Sequence, residues 1–446
     1  MKIVRANAKF IRGYLSPVGG IESFIGKKDT AANVVQIQIR NTHYAPFLVT
    51  SITYKDSVIH SFEEPLLIQG HGGSSNSEVT FELVVDSELL SKKKFVNRIG
   101  IEYRMLGGRE TFVSEPFPWD ANSMNLSSAI LNSRKPNYQN FAFIHENQDI
   151  LTISEGNWVL EGVLTIDKSK TLQILPGANI QLQNGGAILC YGAVNFVGTT
   201  AKPINVIAKD SGQGILVMDS KKRSTLKGVQ FYGLQRFKID NWELPSAVTF
   251  YNSNVDISDC RFENNRLGDD YLNIFRSEFT LMHSDFIDCF ADAFDGDFVN
   301  GKIQNVTFTN VGNDGIDFSG SSIKLHNVTF RMVADKAISA GERSQISASN
   351  VKIIGCELGV NSKDASNVSI KNSRIDSTRI PLIAFMKKEE FGPSAIHATG
   401  LNITNYETKY LLESSSGISI DGEKLSSTHN DLKSLLYGVE YGKSSH

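Results

Sequence analysis

Residues 302–310 read KIQNVTFTN and residues 324–332 read KLHNVTFRM. The two segments lie 22 residues apart, and in each the polar and apolar side chains alternate with the period of a β-strand. Working outward, Phe231, Phe262, Phe286, Phe308, Phe330, Ile353 and Ile375 recur at intervals of 31, 24, 22, 22, 23 and 22 residues. A second apolar row, Leu272, Phe294, Ile316, Ile338 and Val360, keeps a strict interval of 22. A polar row, Asn305, Asn327, Asn350 and Asn372, follows at 22, 23 and 22, which suits side chains stacked at a repeated turn. Short strands repeating at this period predict the coil of a parallel β-helix, three strands joined by turns, each stacked on its copy. A leucine-rich repeat has a similar period, but its L-x-x-L-x-L signature is absent.

The entry to the repeat carries TLQILPG (171–177) and GTTAKPI (198–204). The run 156–208 resembles the opening coils of right-handed parallel β-helix proteins, the pectate-lyase-like superfamily. That resemblance implies a fold and not a reaction, because lyases, hydrolases, epimerases, tailspikes and adhesins share the architecture.

Ahead of the repeat, VVQIQIRN (from 34), FLVTSITYKD (47), VTFELVVD (79), RIGIEYRM (98) and ETFVSEPF (110) alternate between turn-like breaks. They predict a small antiparallel, immunoglobulin-like β-sandwich over 1–145. A charged, proline-bearing stretch from 133 to 147 reads as the linker, the β-helix as 150–425, and 426–446 as a cap. Within that cap, SSTHNDLKSLLYGVEYG predicts a short amphipathic helix over the open end of the stack.

Bulk composition narrows the function. Hydrophobic residues make up 41% and charged residues 21% of the 446, and a net charge of −3 offers no basic field for nucleic acid. No stretch approaches the ~20 apolar residues of a membrane span, and the amino terminus lacks the apolar run of a secretory signal. Either the protein stays inside the cell or a leader lies upstream. Cys190, Cys260, Cys289 and Cys356 show no C-x-x-C spacing, so they read as buried apolar fillers.

The chemistry concentrates where the repeat carries acids. Counting by 22, Asp270, Asp292, Asp314 and Lys336 share one column, and Asn273, Asp295, Asp317, Ser339 and Asn361 another. Asp269, Asn313 and Asp335 stand on one side, Asp297 and Lys363 on the other. With coils ~4.8 Å apart, Asp292, Asp295, Asp314 and Asp317 would crowd together on the outer surface. Bare carboxylates at that spacing repel. Three readings remain open: turn residues with Lys336 bridged to Asp314, a structural calcium, or a site that acts on a ligand.

Asp292 in ADAF, followed by NDGID at 313–317, resembles the calcium-binding pattern of the family 9 pectate lyases. The resemblance implies Ca2+ held by Asp292, Asn313, Asp314 and Asp317, with Asn313 standing where the family has aspartate. It also implies β-elimination of a uronate by a lysine base. No lysine falls at the family's spacing, which leaves Lys363 and Lys336 as candidates for the base.

A longer succession, DAFDGDF (292–298), NDGIDFSGS (313–321), DKAISAGERS (335–344), NSKDAS (361–366) and MKKEEFGPS (386–394), is similar to β-helix regions accompanying spore-coat-type kinase domains in bacterial surface proteins. It implies a part of a larger extracellular or cell-surface polypeptide. Asp295, Asp297, Glu342, Arg343, Lys387 and Lys388 continue the charged strip and are the candidate substrate-binding residues.

Other signals are weaker. GHG at 70–72 reads as a loop, and His283, in the column of Asn305, as a stacked turn residue. Asp292 with Asp317 offers the ~6.5–9.5 Å carboxyl separation of an inverting glycosidase. The sequence thus predicts a protein acting on an acidic polysaccharide, by calcium-assisted β-elimination. The alternatives are a non-catalytic carbohydrate-binding or scaffold module, and a glycoside hydrolase using paired aspartates.

Overall fold

The computed structural model describes residues 20–437 apart from 44, 71–76, 93–94, 118–133 and 240–241. The chain divides into two compact units, Met1–Ser133 and Arg134–His446.

In the first unit, Ile21–Asp29, Val34–Asn41 and Glu78–Val84 form one antiparallel sheet, and Ser57–Ile68, Phe47–Tyr54, Ile99–Met105 and Thr111–Ser114 another. Ile37, Ile39 and Leu83 from the first meet Phe47, Val49 and Ile101 from the second in one buried core. Alternation located five of these strands. It missed Ile21–Asp29 and Ser57–Ile68, both at sheet edges. An edge strand has one solvated side, which tolerates Pro65 in one and the bulge between Ile25 and Lys28 in the other. His71 of the GHG turn lies outside the described residues.

The second unit is a right-handed parallel β-helix of about twelve coils with ~22 residues each. One sheet runs through Thr307–Val311 and Thr329–Val333, another through Gly301–Gln304 and Ile323–His326. The third contains Asp270–Phe275, Asp292–Asp297, Ile316–Ser319, Lys336–Gly341, Leu358–Lys363 and Ile380–Phe385. Every one of these pairs in parallel with its copy in the next coil.

The rows seen in the sequence become ladders. Phe231, Phe262, Phe286, Phe308 and Phe330 stack at centroid spacings of 5.0, 4.5, 4.9 and 4.9 Å. Asn327 Nδ2 donates to Asn305 Oδ1 at 2.7 Å, and Asn305 Nδ2 meets His283 Nε2 at 2.9 Å. His283, Asn305, Asn327, Asn350 and Asn372 all have φ near +50°, a left-handed turn that asparagine tolerates better than most residues. A serine ladder went unread in the sequence. Ser321 N donates to Ser344 Oγ and Ser344 N to Ser366 Oγ, so each hydroxyl satisfies a buried amide of the coil before it. The four cysteines are buried and free.

Both ends of this unit differ from the sequence reading. Residues 134–147, read as a linker, belong to it: Asn137 clamps the Val163 carbonyl and the Thr165 amide, and Ile144–Asn147 pairs antiparallel with Ile150–Ile153. Near the carboxy terminus a helix forms at Lys433–Leu436, but Leu432 and Leu436 pack against Leu358, Ile380, Ile383 and Phe385 rather than over the open end. Residues 438–446 of the expected cap lie outside the described residues. Among the described residues, no helix is long and apolar enough to cross a membrane.

Candidate functional site

Strand alternation decides which way each aspartate points. In Asp292–Asp297, Phe294 enters the core, and Gly296 follows it inward where the Phe318 ring of the next coil fills the space. Asp295 and Asp297 therefore face outward. In register, Asn273, Asp295, Asp317, Ser339 and Asn361 form one outer column, and Phe275, Asp297, Ser319 and Gly341 the neighbouring one. Asp270 pairs with Asp292 at the strand starts.

Each acid has a distinct set of neighbours. Asp292 Oδ1 accepts the Asn313 amide at 2.5 Å and the Asp314 backbone N–H at 2.8 Å. Asp314 takes the Lys336 ammonium on both oxygens, at 3.3 and 3.4 Å, and the Lys336 N–H at 3.0 Å. Lys336 also holds Asp335 at 2.6 Å. Asp295 accepts from Asn273 Nδ2 at 3.1 Å. Lys363 reaches back two coils to Asp317 Oδ2 at 3.4 Å and donates to Ser339 Oγ at 3.1 Å. Buried oxygens without a hydrogen-bond partner remain on Asp270, Asp317 and Asp364, and both amide atoms of Asn361 are likewise unmatched.

These neighbours sort the acids by protonation. Burial, then the facing carboxylates, push Asp270, Asp292 and Asp295 well above the ordinary aspartate range. Burial, Asp317 and Glu342 raise Asp297 to about 7. Asp314 rises to about 6, because burial outweighs its lysine. Asp317 is the exception: burial pushes it up, but Lys363, Lys336 and a Ser339 hydrogen bond outweigh that and hold it below the ordinary value. Both lysines move the other way. Burial would lower them, but Asp314 and Asp335 hold Lys336 above the lysine range, and Asp317 does the same for Lys363.

The structure therefore gathers Asp292, Asn313, Asp314, Asp317, Asp295, Asp297, Lys336 and Lys363 on one face. Glu342 joins them through a hydrogen bond from Ser319 and an ion pair with Lys388. Arg343 turns aside to lie over the Phe391 ring, and Lys387 lies 4.5 Å from the Tyr437 ring centroid. Asp269 and Asp270, counted in the columns but not assigned a role, place ligand oxygens within 4.8 Å of those of Asp292. Their signal was present in the 22-residue count. That of Tyr437 was not, because it reaches the face from outside the repeat.

The family described as "Right handed beta helix region" matches residues 275–446. The second unit is a right-handed β-helix. No curated protein matches the chain in sequence. Among solved structures, the catalytic domain of a GH87 alpha-1,3-glucanase in complex with nigerose aligns at 9% identity over 93% of this chain and 97% of its own, with a TM-score of 0.34. The Streptococcus pneumoniae surface protein and adhesin PfbA aligns at 11% over 61% of this chain and 91% of its own, TM-score 0.31. Pectate lyase Pel9A aligns at 14% over 52% and 70%, TM-score 0.22. At such identities none of the three lends a residue role to this β-helix.

Proposed function

We propose that the outer aspartate face hydrolyses glycosidic bonds in a polysaccharide, with Asp297 as general acid and Asp317 as general base. What supports this reading is placement together with charge: Asp297 and Asp317 both face outward on adjacent coils, and their surroundings push them apart, burial and Asp317 raising Asp297 to about 7 while Lys363 and Lys336 hold Asp317 below the ordinary range. Glycosidases need that division, one acid protonated and one ionised. Asp317 sits opposite Asp295, and Asp297 lies two residues further along the strand. Two residues of strand and one coil spacing give a diagonal of ~8 Å, inside the ~6.5–9.5 Å window in which water fits between base and sugar. Asp297 then gives its proton to the leaving glycosidic oxygen, while Asp317 removes a proton from the water that attacks the anomeric carbon. The C–O bond breaks as the new one forms, the anomeric configuration inverts, and the two carboxyls exchange protonation states until solvent resets them.

The same electrostatics disfavour β-elimination. A lysine base has to be neutral near pH 7, which requires a depressed pKa, and both Lys336 and Lys363 are shifted upward by their aspartates. The calcium set implied by the lyase resemblance also fits poorly, since Asp314 and Asp317 already face ammonium groups. A divalent cation has a better place at Asp269, Asp270 and Asp292, where the oxygens converge and Asp270 Oδ2 lacks a partner. No catalytic step is assigned to it.

Reducing-end release from a panel of neutral and acidic glycans, read beside absorbance near 235 nm, tests the proposal. New reducing ends without unsaturated product support hydrolysis. Unsaturated product from a uronan would restore the lyase reading.

A further inference from the structure

On the coils after Asp317, the corner where the chain turns into the acid-bearing sheet carries an open cavity of about 780 Å³, and none of the outer acids lines it. A change in turn length makes the opening. Residues 332–335 join Arg331 to Lys336, whereas 355–357 join their partners Ile354 and Leu358 one coil on, and 377–379 join Asp376 to Ile380 after that. The corner draws in by one residue, and Met332, 56% exposed, stands over Gly355, where a Cβ would meet nothing closer than the Met332 Cγ at 4.0 Å. The far wall is Tyr406. It takes the place in the turn that Val333, Cys356 and Thr378 hold in the three coils before it. Those small side chains are buried, but the tyrosine ring exceeds their space and is 44% exposed. Between the walls, Arg379 donates from Nη1 to Glu357 Oε1 at 2.7 Å and from Nε to Glu407 Oε2 at 2.9 Å. That engages one oxygen of each carboxylate. Both glutamates are exposed, and the second oxygen of each is left to accept from a ligand.

We propose that this groove binds a saccharide, at a place separate from the aspartate face. Its volume lies within the ~300–1,000 Å³ of small-ligand sites, and its walls stand three coils, ~14 Å, apart. The Met332 side chain and the Tyr406 ring offer apolar surface to the C–H faces of sugar rings. The Glu357–Arg379–Glu407 row holds itself in place, so little ordering remains to be done when hydroxyls donate to its unused oxygens. A wholly apolar ligand would bury three charged groups without giving them partners. A cationic ligand would compete with Arg379, which already lies between the two carboxylates. A sugar donates through its hydroxyls and leaves that guanidinium where it is. Bound here, a glycan chain is held by a second foothold that raises its effective concentration at the outer acids. The inference does not depend on the hydrolase reading.

The test titrates the full chain, carrying Asp297→Asn so that no sugar is consumed, with short gluco-, manno- and galacto-oligosaccharides, an oligogalacturonide and oligolysine, read by calorimetry. At least one oligosaccharide should bind. Tyr406→Ala should weaken that binding roughly tenfold and Met332→Ala by less, and because both side chains are exposed, thermal melts should be unchanged. Phe290→Ala is the control: Phe290 is 58% exposed on the same corner, two coils before the groove, and does not line it. Its loss should leave binding as it was. Failure of every oligosaccharide to bind overturns the inference. So does sugar binding that survives both Tyr406→Ala and Met332→Ala, or that falls equally with Phe290→Ala. Oligolysine binding that these two variants abolish, in place of sugar binding, gives the groove to a basic partner and overturns the saccharide. Cleavage is read separately on the native chain, where binding without hydrolysis would remove the hydrolase reading and leave the groove standing.

Discussion

Lys363 passes over Gly341 to reach Asp317 two coils away, Nζ to Oδ2 at 3.4 Å, and a Cβ on that glycine would lie 2.8 Å from the lysine Cε. The missing side chain is what lets a long stem lie flat across the intervening coil. The ion pair it delivers is buried at its lysine end, with Lys363 only 5% exposed, and half-buried at Asp317, whose side chain is 25% exposed. Removing one partner strands the other charge, at a cost of about 3–5 kcal/mol. Lys363→Met should therefore destabilise the β-helix by that order in chemical denaturation, and Gly341→Ala by less. The double change Lys363→Met with Asp317→Asn should recover much of the loss. A double variant as unstable as the sum of the singles would show that the pair is not coupled.

The protonation states make a kinetic prediction. Asp297 must be protonated to act as acid, so hydrolysis should fall as pH rises through about 7. The acid limb should lie below the ordinary carboxylate range, because Asp317 stays ionised there. Asp297→Asn and Asp317→Asn should each lower kcat by roughly 10²–10⁴-fold. A rate that climbs steadily into the alkaline range, in step with lysine deprotonation, would contradict both assignments.

Stability should follow pH with a definite sign. Asp295, Asp297 and Asp364 are all raised in the folded chain, the last to about 6 by burial. Between the unfolded value near 4 and these folded values, the native state binds more protons than the unfolded one, so stability falls as pH rises. The melting temperature should be higher near pH 5 than near pH 8, with the loss concentrated up to about pH 7. Asp317 opposes this only at lower pH, where its depressed pKa makes protonation destabilising. Asp297→Asn should flatten the slope, and calorimetry across the range would show whether it does.

The coil was legible because a β-helix writes its geometry as a fixed interval: residues 22 apart become neighbours, so the count alone places Phe286 against Phe308. The outward aspartates followed from the same count, as did the Lys336–Asp314 pair. Lys363–Asp317 was hidden, since it spans two coils and depends on Gly341 being empty. The direction of the lysine shifts was hidden as well, because burial and a facing carboxylate act oppositely on an ammonium and only their balance in three dimensions decides. Residues outside the period, such as Asn137 at the first coil and Tyr437 beside Phe385, carry no repeat signal to place them.

Calcium should act on a different set of acids from the one that the NDGID pattern suggests. Asp314 and Asp317 face ammonium groups, and a cation there would have to displace a lysine. Asp269, Asp270 and Asp292 have converging oxygens, and one on Asp270 is buried without a partner. Calcium takes six to eight oxygens in flexible geometry, and a ligand that binds only the folded state stabilises it by about 2.7 kcal/mol at a hundredfold excess over Kd. Millimolar calcium should raise the melting temperature by a few degrees at pH 7.5. Asp270→Asn should abolish that rise, whereas Asp314→Asn should preserve it. A rise lost in the Asp314 variant but kept in the Asp270 variant would return the cation to the NDGID acids, and no rise in the native chain would leave protons alone to relieve the crowding.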